Sequence, residues 1–261
     1  MWGNDMQVED YAYLYRLEEH FWWFVGMREI TAVLLDPVCP LTQDRLVLDA
    51  GCGTGGSLGW LVRYAQNGRV VGVDFVAEAL TYCRQREHKY VAQASVTALP
   101  FADSLFDLAT SFDVLVQLPG ELAAERALRE MYRVLRPGGI AFVRVAAYEW
   151  MRSGHDEALG TQRRYHLGGL IEQMQRAGFD VLRPTYANSL LLPLAVLRRL
   201  VLKRIGFVDS GSDVKPLPSK LQWLNRVLVR ALRSEARLLK HPRSRLRAGL
   251  SAICVARRPH R

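Results

Sequence analysis

The sequence predicts an α/β fold built on a doubly wound, mostly parallel sheet. Two observations carry that expectation. Short apolar runs alternate with helical stretches along most of the chain, which is how strands and crossover helices alternate in parallel sheets. The first of these runs, Leu46-Val47-Leu48, ends in Asp49 and opens into a glycine-rich turn, Gly51-Cys52-Gly53-Thr54-Gly55-Gly56, from which a helix starts.

The elements follow in order. Tyr11 to Leu35 reads as helix, rich in aromatic rings and stopped by Pro37 and Pro40. After the strand at Leu46 come a helix from Ser57 to Ala65, a strand Arg69 to Val73 ending in Asp74, and a helix from Ala77 to Glu87. Tyr90 to Ala92 is strand-like, and Phe106 to Ser111 is a strand behind the turn Ala102-Asp103-Ser104. A helix from Glu121 to Leu135 is closed by Arg136-Pro137-Gly138-Gly139, whose Pro and Gly cannot continue it. Ile140 to Val145 is the fifth strand, Leu167 to Ala177 a helix with Gly178 as its C-cap, and Phe179 to Leu182 the sixth strand. Leu250 to Ala256 is the last. A hairpin into it would need only a few residues, so the basic, amphipathic stretch before it is an insertion, expected to be helical and to form a lid or platform. The expectation is one domain over 1–261: an N-terminal helical cap (1–40), a core (41–185), a helical insertion (186–249) and the last strand (250–261), with seven strands in the sheet.

Composition narrows the class. Of 261 residues 49% are hydrophobic and 23% charged, a globular balance that argues against large-scale disorder. Residues 1–10 lack a basic stretch followed by an apolar run, so no leader is expected. The most apolar stretch, Leu190 to Val201, is interrupted by Pro193, Arg198 and Arg199 and falls short of the roughly 20 apolar residues a spanning helix needs. Cys39, Cys52, Cys83 and Cys254 form no CxxC pair and no Cys/His ligand pattern, which fits a reduced cytoplasm and no structural metal. Residues 183–261 hold 18 Lys and Arg against 3 Asp and Glu, whereas residues 1–182 hold 17 against 23. That asymmetry points to an anionic partner such as a phosphate-bearing substrate, a membrane surface or RNA, or else to a solvated basic face.

The glycine turn carries the chemistry. Glycines at 51, 53 and 55 let the backbone turn tightly and approach a ligand, and the helix behind them offers free N–H groups. Asp74 stands 25 residues beyond Asp49 at the end of the next strand, where a carboxylate can accept both hydroxyls of a ribose. The dinucleotide spacing GxGxxG can be laid on Gly51, Gly53 and Gly56, but Asp49 just before it would sit poorly against a pyrophosphate.

On these segments the chain resembles the class I S-adenosylmethionine (SAM)-dependent methyltransferases, in particular the bacterial group called type 11, over roughly residues 15–185 and most specifically 46–145. The resemblance implies a Rossmann-like sheet and SAM as the methyl donor. It implies that Asp49, Gly51, Gly53 and Gly55 cradle the methionine part, that Asp74 holds the ribose and that Phe75 lines the adenine pocket. Gln93 to Phe101 is similar to the family's adenine-binding segment, with Ser95 and Val96 in it and Ser95 where many members carry Asp. Ser111 to Pro119, with Phe112 and Asp113, matches the loop beside the transferable methyl, and Gln117 stands where His is frequent. Arg133 to Gly139 resembles the turn before strand five. In the family the aromatic N-terminal segment folds over the cofactor, and Arg28 is expected to pair with the SAM carboxylate.

The acceptor side is less determined. Trp150 to Glu157 follows strand five at the edge where ligands bind, so His155 is a candidate general base with Asp156 orienting it, and Tyr165 is a second candidate. Arg163-Arg164-Tyr165-His166 is a candidate cradle for an anionic acceptor; related members show an HDEALGH-RRRY-like run, and this chain has Thr161 where His is expected. The alternative is that both histidines are surface loop residues and Tyr165 packs in the core. In the insertion, Arg226, Arg230, Arg233, Arg237 and Lys240 form one basic stripe opposite a leucine face, which suits either an anionic lipid surface or packing on the sheet domain. Stacking rings are sparse there, which disfavours RNA. The expected activity is methyl transfer to a hydroxyl of a small or lipid-like metabolite, phosphate-linked acceptors included. The competing readings are a nucleic-acid methyltransferase and a non-catalytic SAM-binding module.

Overall fold

The computed structural model describes residues 8–154, 156, 159–204 and 222–260. Its strands are β1 (Leu46–Ala50), β2 (Arg69–Asp74), β3 (Val91–Gln93), β4 (Phe106–Phe112), β5 (Leu135–Ala146), β6 (Asp180–Ala187) and β7 (Ser251–Arg257). They form one sheet in the order β3-β2-β1-β4-β5-β7-β6. The pairs from β3 to β5 are parallel, and β7 runs antiparallel to both β5 and β6. This is the expected doubly wound, Rossmann-like arrangement. The chain reverses its direction of winding between β1 and β4, and the carboxyl ends of those two strands are where such sheets bind ligands.

The helices are α1 (Val8–Leu17), α2 (Trp22–Leu35), α3 (Gly56–Ala65), α4 (Ala77–Gln85), α5 (Gly120–Val134), α6 (Leu167–Arg176), α7 (Leu192–Arg204) and α8 (Gln222–Leu239). Alternate strand residues feed opposite faces of the sheet. Leu48, Ala141, Val143 and Cys254 join Leu128 and Met131 of α5 and Leu170 and Met174 of α6. Val47, Phe142, Ile253 and Val255 join Met27, Ile30 and Leu34 of α2, Leu61 and Tyr64 of α3, and Leu232 and Leu239 of α8.

Three elements differ from expectation. The N-terminal helix is two helices, broken between Leu17 and Trp22. No Pro or Gly marks the break; it is made by tertiary contacts, because Asn225 of α8 accepts the Trp22 N–H (2.8 Å) and so caps α2 from outside its own segment. The strand before Gly138 begins earlier than expected, at Leu135, which pairs with Phe106 before the register shifts. The sixth strand runs on to Ala187, through Pro184, which the sheet tolerates because β6 is its edge strand.

The insertion is fastened from inside. Leu232, Ala236 and Leu239 bury the inner face of α8, and Leu232 lies so close to Gly26 of α2 that a Cβ there would collide with it. Glu235 is fully buried, and its carboxylate accepts the backbone N–H groups of Asn188, Ser189 (2.7 Å) and Leu190 (3.2 Å). These three donors follow the end of β6 and have no ladder partner. Replacing Glu235 with Ala leaves them without this acceptor in the interior, and urea unfolding is expected to show a loss of about 2–4 kcal/mol, with Glu235→Gln losing less.

Candidate active site

The loop after β1 folds back onto β2: the Gly51 and Cys52 N–H groups both donate to the Val73 carbonyl (2.8 and 2.9 Å). Gly51 has φ +89°, and a Cβ there would run into Val114 of the post-β4 loop, so the loop admits glycine alone. Gly53 also has a positive φ, but a Cβ built on it meets nothing within 4 Å. Open space therefore lies over the loop at Gly53, and this is the cradle a ligand fits. Gly55, at φ +86°, precedes the first turn of α3.

Asp74 ties the first two loops together. One carboxylate oxygen accepts the Gly53 N–H (2.8 Å) and the other accepts the Val76 N–H (3.0 Å). Burial pushes its pKa up, against the pull of those backbone donors. The side chain keeps partial exposure, and the neighbouring Phe75 is 53% exposed. A half-open carboxylate beside an open glycine and an exposed ring suits a ribose carrying a base, so the residues present fit the adenosyl part of SAM.

Other expected contacts are arranged differently. Asp49 does not face the opening: it is fully buried and accepts the Ser57 and Thr110 hydroxyls (2.7 Å each), bracing β1 against β4 and α3. Arg28 is spent on backbone: its guanidinium donates to the Glu18 carbonyl (2.5 Å), the Glu19 carbonyl (3.2 Å) and the Gly56 carbonyl (3.4 Å). These bonds clasp the cap to the loop. The Ser95 hydroxyl turns onto Thr97, and Val96 is buried in the core. Phe112 packs on Phe142 and under the Arg144 guanidinium, and Arg144 binds the Asp113 carboxylate (2.7 and 2.8 Å). Asp113 holds a left-handed φ of +60° to make that pair.

On the acceptor side, Tyr165 is a core residue whose hydroxyl donates to the Leu115 carbonyl (3.3 Å). Burial pushes its pKa up to about 12, the wrong direction for a base at neutral pH. Both considerations favour the alternative in which Tyr165 packs in the core. His155 lies outside the described residues. Asp156 is buried and held by Arg164 (2.7 and 3.1 Å), and it accepts the Ser153 N–H (2.7 Å). Arg163 donates to the Gly120 carbonyl (2.5 Å), so both arginines hold partners within the fold. At the carboxyl ends of β5 and β6 the rings of Trp150, Tyr148 and Tyr186 stack in a row (5.6 and 5.2 Å), with His166 edge-on to Tyr148 (5.4 Å).

Sequence reasoning missed Glu18. Its carboxylate accepts the Thr54 hydroxyl (2.5 Å) and the Gly56 N–H (2.9 Å) and faces Arg86 (3.4 Å), which also donates to the Thr54 carbonyl (3.1 Å) and the Tyr15 carbonyl (2.6 Å). The break between α1 and α2 is what delivers this carboxylate to the glycine loop. Glu18 and Thr54 are far apart in the chain, and nothing local in either segment announces the contact.

The buried Asp49 generates a pH prediction. Burial raises its pKa to about 7, opposed by the Ser57 and Thr110 hydroxyls. In the unfolded chain it titrates near 4. Between those values the folded state binds the extra proton, so this group's contribution to stability is complete below about pH 4 and is lost as pH rises through about 7. Asp49→Asn, which mimics the protonated form, is expected to flatten the pH dependence of the unfolding free energy in that window relative to wild type.

Comparison with known proteins agrees with this geometry. Residues 48–143 match the family model described as a methyltransferase domain. A protein of Encephalitozoon cuniculi described as a methyltransferase is 34% identical over 164 residues, covering 54% of this chain and 73% of that one. The 2-phytyl-1,4-naphtoquinone methyltransferase of Thermosynechococcus vestitus is 39% identical over 108 residues, 40% of this chain and 47% of that enzyme. The malonyl-(acyl-carrier protein) O-methyltransferase of Enterobacter lignolyticus is 42% identical over 112 residues, 41% of this chain and 42% of its own. The chain thus spans less than half the length of the two relatives whose substrates are named. Among solved structures, phosphoethanolamine N-methyltransferase 2 of Haemonchus contortus superposes with a TM-score of 0.62 at 17% identity, over 98% of this chain and 59% of that one. A SAM-dependent methyltransferase of Mesorhizobium loti superposes at 0.56 with 16% identity, over 86% and 96%. Sequence family, sheet order and glycine loop agree: the chain belongs to the class I SAM-dependent methyltransferases and is an enzyme that uses S-adenosylmethionine.

Proposed function

We propose that the chain transfers the SAM methyl group to a hydroxyl on a small, lipid-like acceptor, phosphate-linked acceptors included, with Gly51, Gly53 and Gly55 cradling the donor and Asp74 and Phe75 holding its ribose and adenine. The observation that carries the donor half is the open face of Gly53 beside the Asp74 carboxylate. When bound, SAM supplies a methyl already activated on a sulfonium, so the protein's task is to align donor and acceptor, worth roughly 7–11 kcal/mol. The Glu18 and Arg28 contacts tie the N-terminal cap to the loop. The acceptor half rests on the row of Trp150, Tyr148 and Tyr186 at the carboxyl ends of β5 and β6, with Trp150 exposed. The naphthoquinone enzyme, similar in sequence, is named for an acceptor of this apolar kind. Asp74→Ala is expected to weaken SAM binding by about 1.5–3 kcal/mol in calorimetry; failure of wild type to bind SAM below millimolar concentration would overturn the reading.

For the proton, we propose His155 as the base, between Gly154 and Asp156 in the sequence that follows β5. Neutral imidazole accepts a proton near pH 7. Screening metabolite extracts with SAM for a mass gain of one methylene identifies the acceptor. With it, His155→Ala is expected to leave SAM affinity unchanged while cutting turnover by about a hundredfold or more. Turnover at the wild-type level would assign catalysis to positioning alone.

A further inference from the structure

The insertion presents an outer surface that the fold does not use. With Leu232, Glu235, Ala236 and Leu239 turned inward, the opposite side of α8 exposes Trp223, Val227, Arg226, Arg230 and Arg237. Trp223 is 60% exposed. Glu235 is the only acid in α8, and it is buried, so that side carries no carboxylate of its own. Across from α8, Glu29 of α2 takes Arg233 (3.2 Å), which leaves Arg226, Arg230 and Arg237 facing outward. On α7, Leu194 and Leu197 share a face one turn apart and are 61% and 59% exposed, with Leu190 exposed just ahead of the helix. Both helices hang from the same anchor, the Glu235 carboxylate that binds the N–H groups leading into α7.

We propose that these outer sides of α7 and α8 dock the enzyme peripherally on an anionic phospholipid bilayer. Leucine and tryptophan side chains enter the headgroup boundary while arginines hold lipid phosphates, which is how interfacial helices bind. The face differs from the one sequence periodicity suggests, because the leucine face of α8 is already buried on α2. A second copy of the chain fits less well: a two-fold contact would set one arginine row against its twin. RNA fits less well because exposed leucines gain nothing from a phosphate backbone and Trp223 is the one ring on the outer side of α8. No helix among the described residues is long and apolar enough to cross a membrane, so contact here is with the surface. The proposal goes beyond the acceptor reading and does not need it, since it is measured as binding without turnover.

The test is sedimentation of the full chain with vesicles of phosphatidylcholine alone and of phosphatidylcholine with phosphatidylglycerol. Association with the anionic vesicles only, weakened by salt, is expected. Each basic residue near the surface contributes about fivefold in partition, so Arg226→Glu with Arg230→Glu is expected to lower binding by at least about 25-fold. Leu194→Glu with Leu197→Glu is expected to lower it by at least about tenfold. All four side chains are exposed, and melting curves matched to wild type confirm that the variants fold. Failure to bind anionic vesicles, or binding that neither variant reduces, overturns the proposal. So does a dimer in solution that the leucine variant dissociates while vesicles capture nothing, or RNA binding lost in the arginine variant with no vesicle association.

Discussion

Buried turns in this enzyme are held by carboxylates that accept backbone N–H groups which neither sheet nor helix can pair. Asp74 serves Gly53 and Val76, Glu18 serves Gly56, and Glu235 serves three successive residues after β6. The pattern extends around the sheet: Asp107 accepts from Leu46, Glu130 from Leu99, Glu149 from Arg164 and Asp156 from Ser153. A buried donor without an acceptor costs about as much as a lost hydrogen bond, and a parallel sheet joined by crossovers produces many such donors at its strand ends. Arginines then balance several of these anions, as Arg86 does Glu18, Arg133 does Glu130 and Arg164 does Asp156. The acidic balance of residues 1–182 is thus partly architectural, and arginines that look available for ligands are already spent on the protein.

That division explains what could be read in advance. The glycine loop and Asp74 were legible because strand, turn, helix and next strand are contiguous, and each step has a local physical signature. The alternation of elements likewise yields the sheet and the existence of an insertion. The partners of Asp49 and Asp113 are distant in sequence, at Thr110 and Arg144, and those of Arg28 and Arg164 lie outside their own turns, at Glu18 and Asp156, so a charge read alone appears free for a ligand. Tyr165 was ambiguous in the sequence, since a phenol is equally suited to a core and to a cleft.

The cofactor side and the insertion share a design. In both, a helical segment that would not be held by propensity alone is fixed by one side chain reaching into the backbone of another element: Glu18 from the cap to α3, Asn225 from α8 to α2, Glu235 from α8 to the β6 exit. The cap is therefore bound on one side to the glycine loop and on the other to the insertion, so the two are joined through α2.

The position of β7 has a consequence for how the molecule is made. It is the last strand in the chain, yet it lies between β5 and β6 and pairs with both. Until residues 251–257 leave the ribosome, β5 presents an unpaired, strongly apolar edge and β6 has no neighbour to join. Strand pairing of such long sequence separation is slow, and an open edge is where intermediates aggregate. Closure of the sheet thus waits on residues 251–257, and the insertion must fold without trapping β6 away from the gap that β7 will fill.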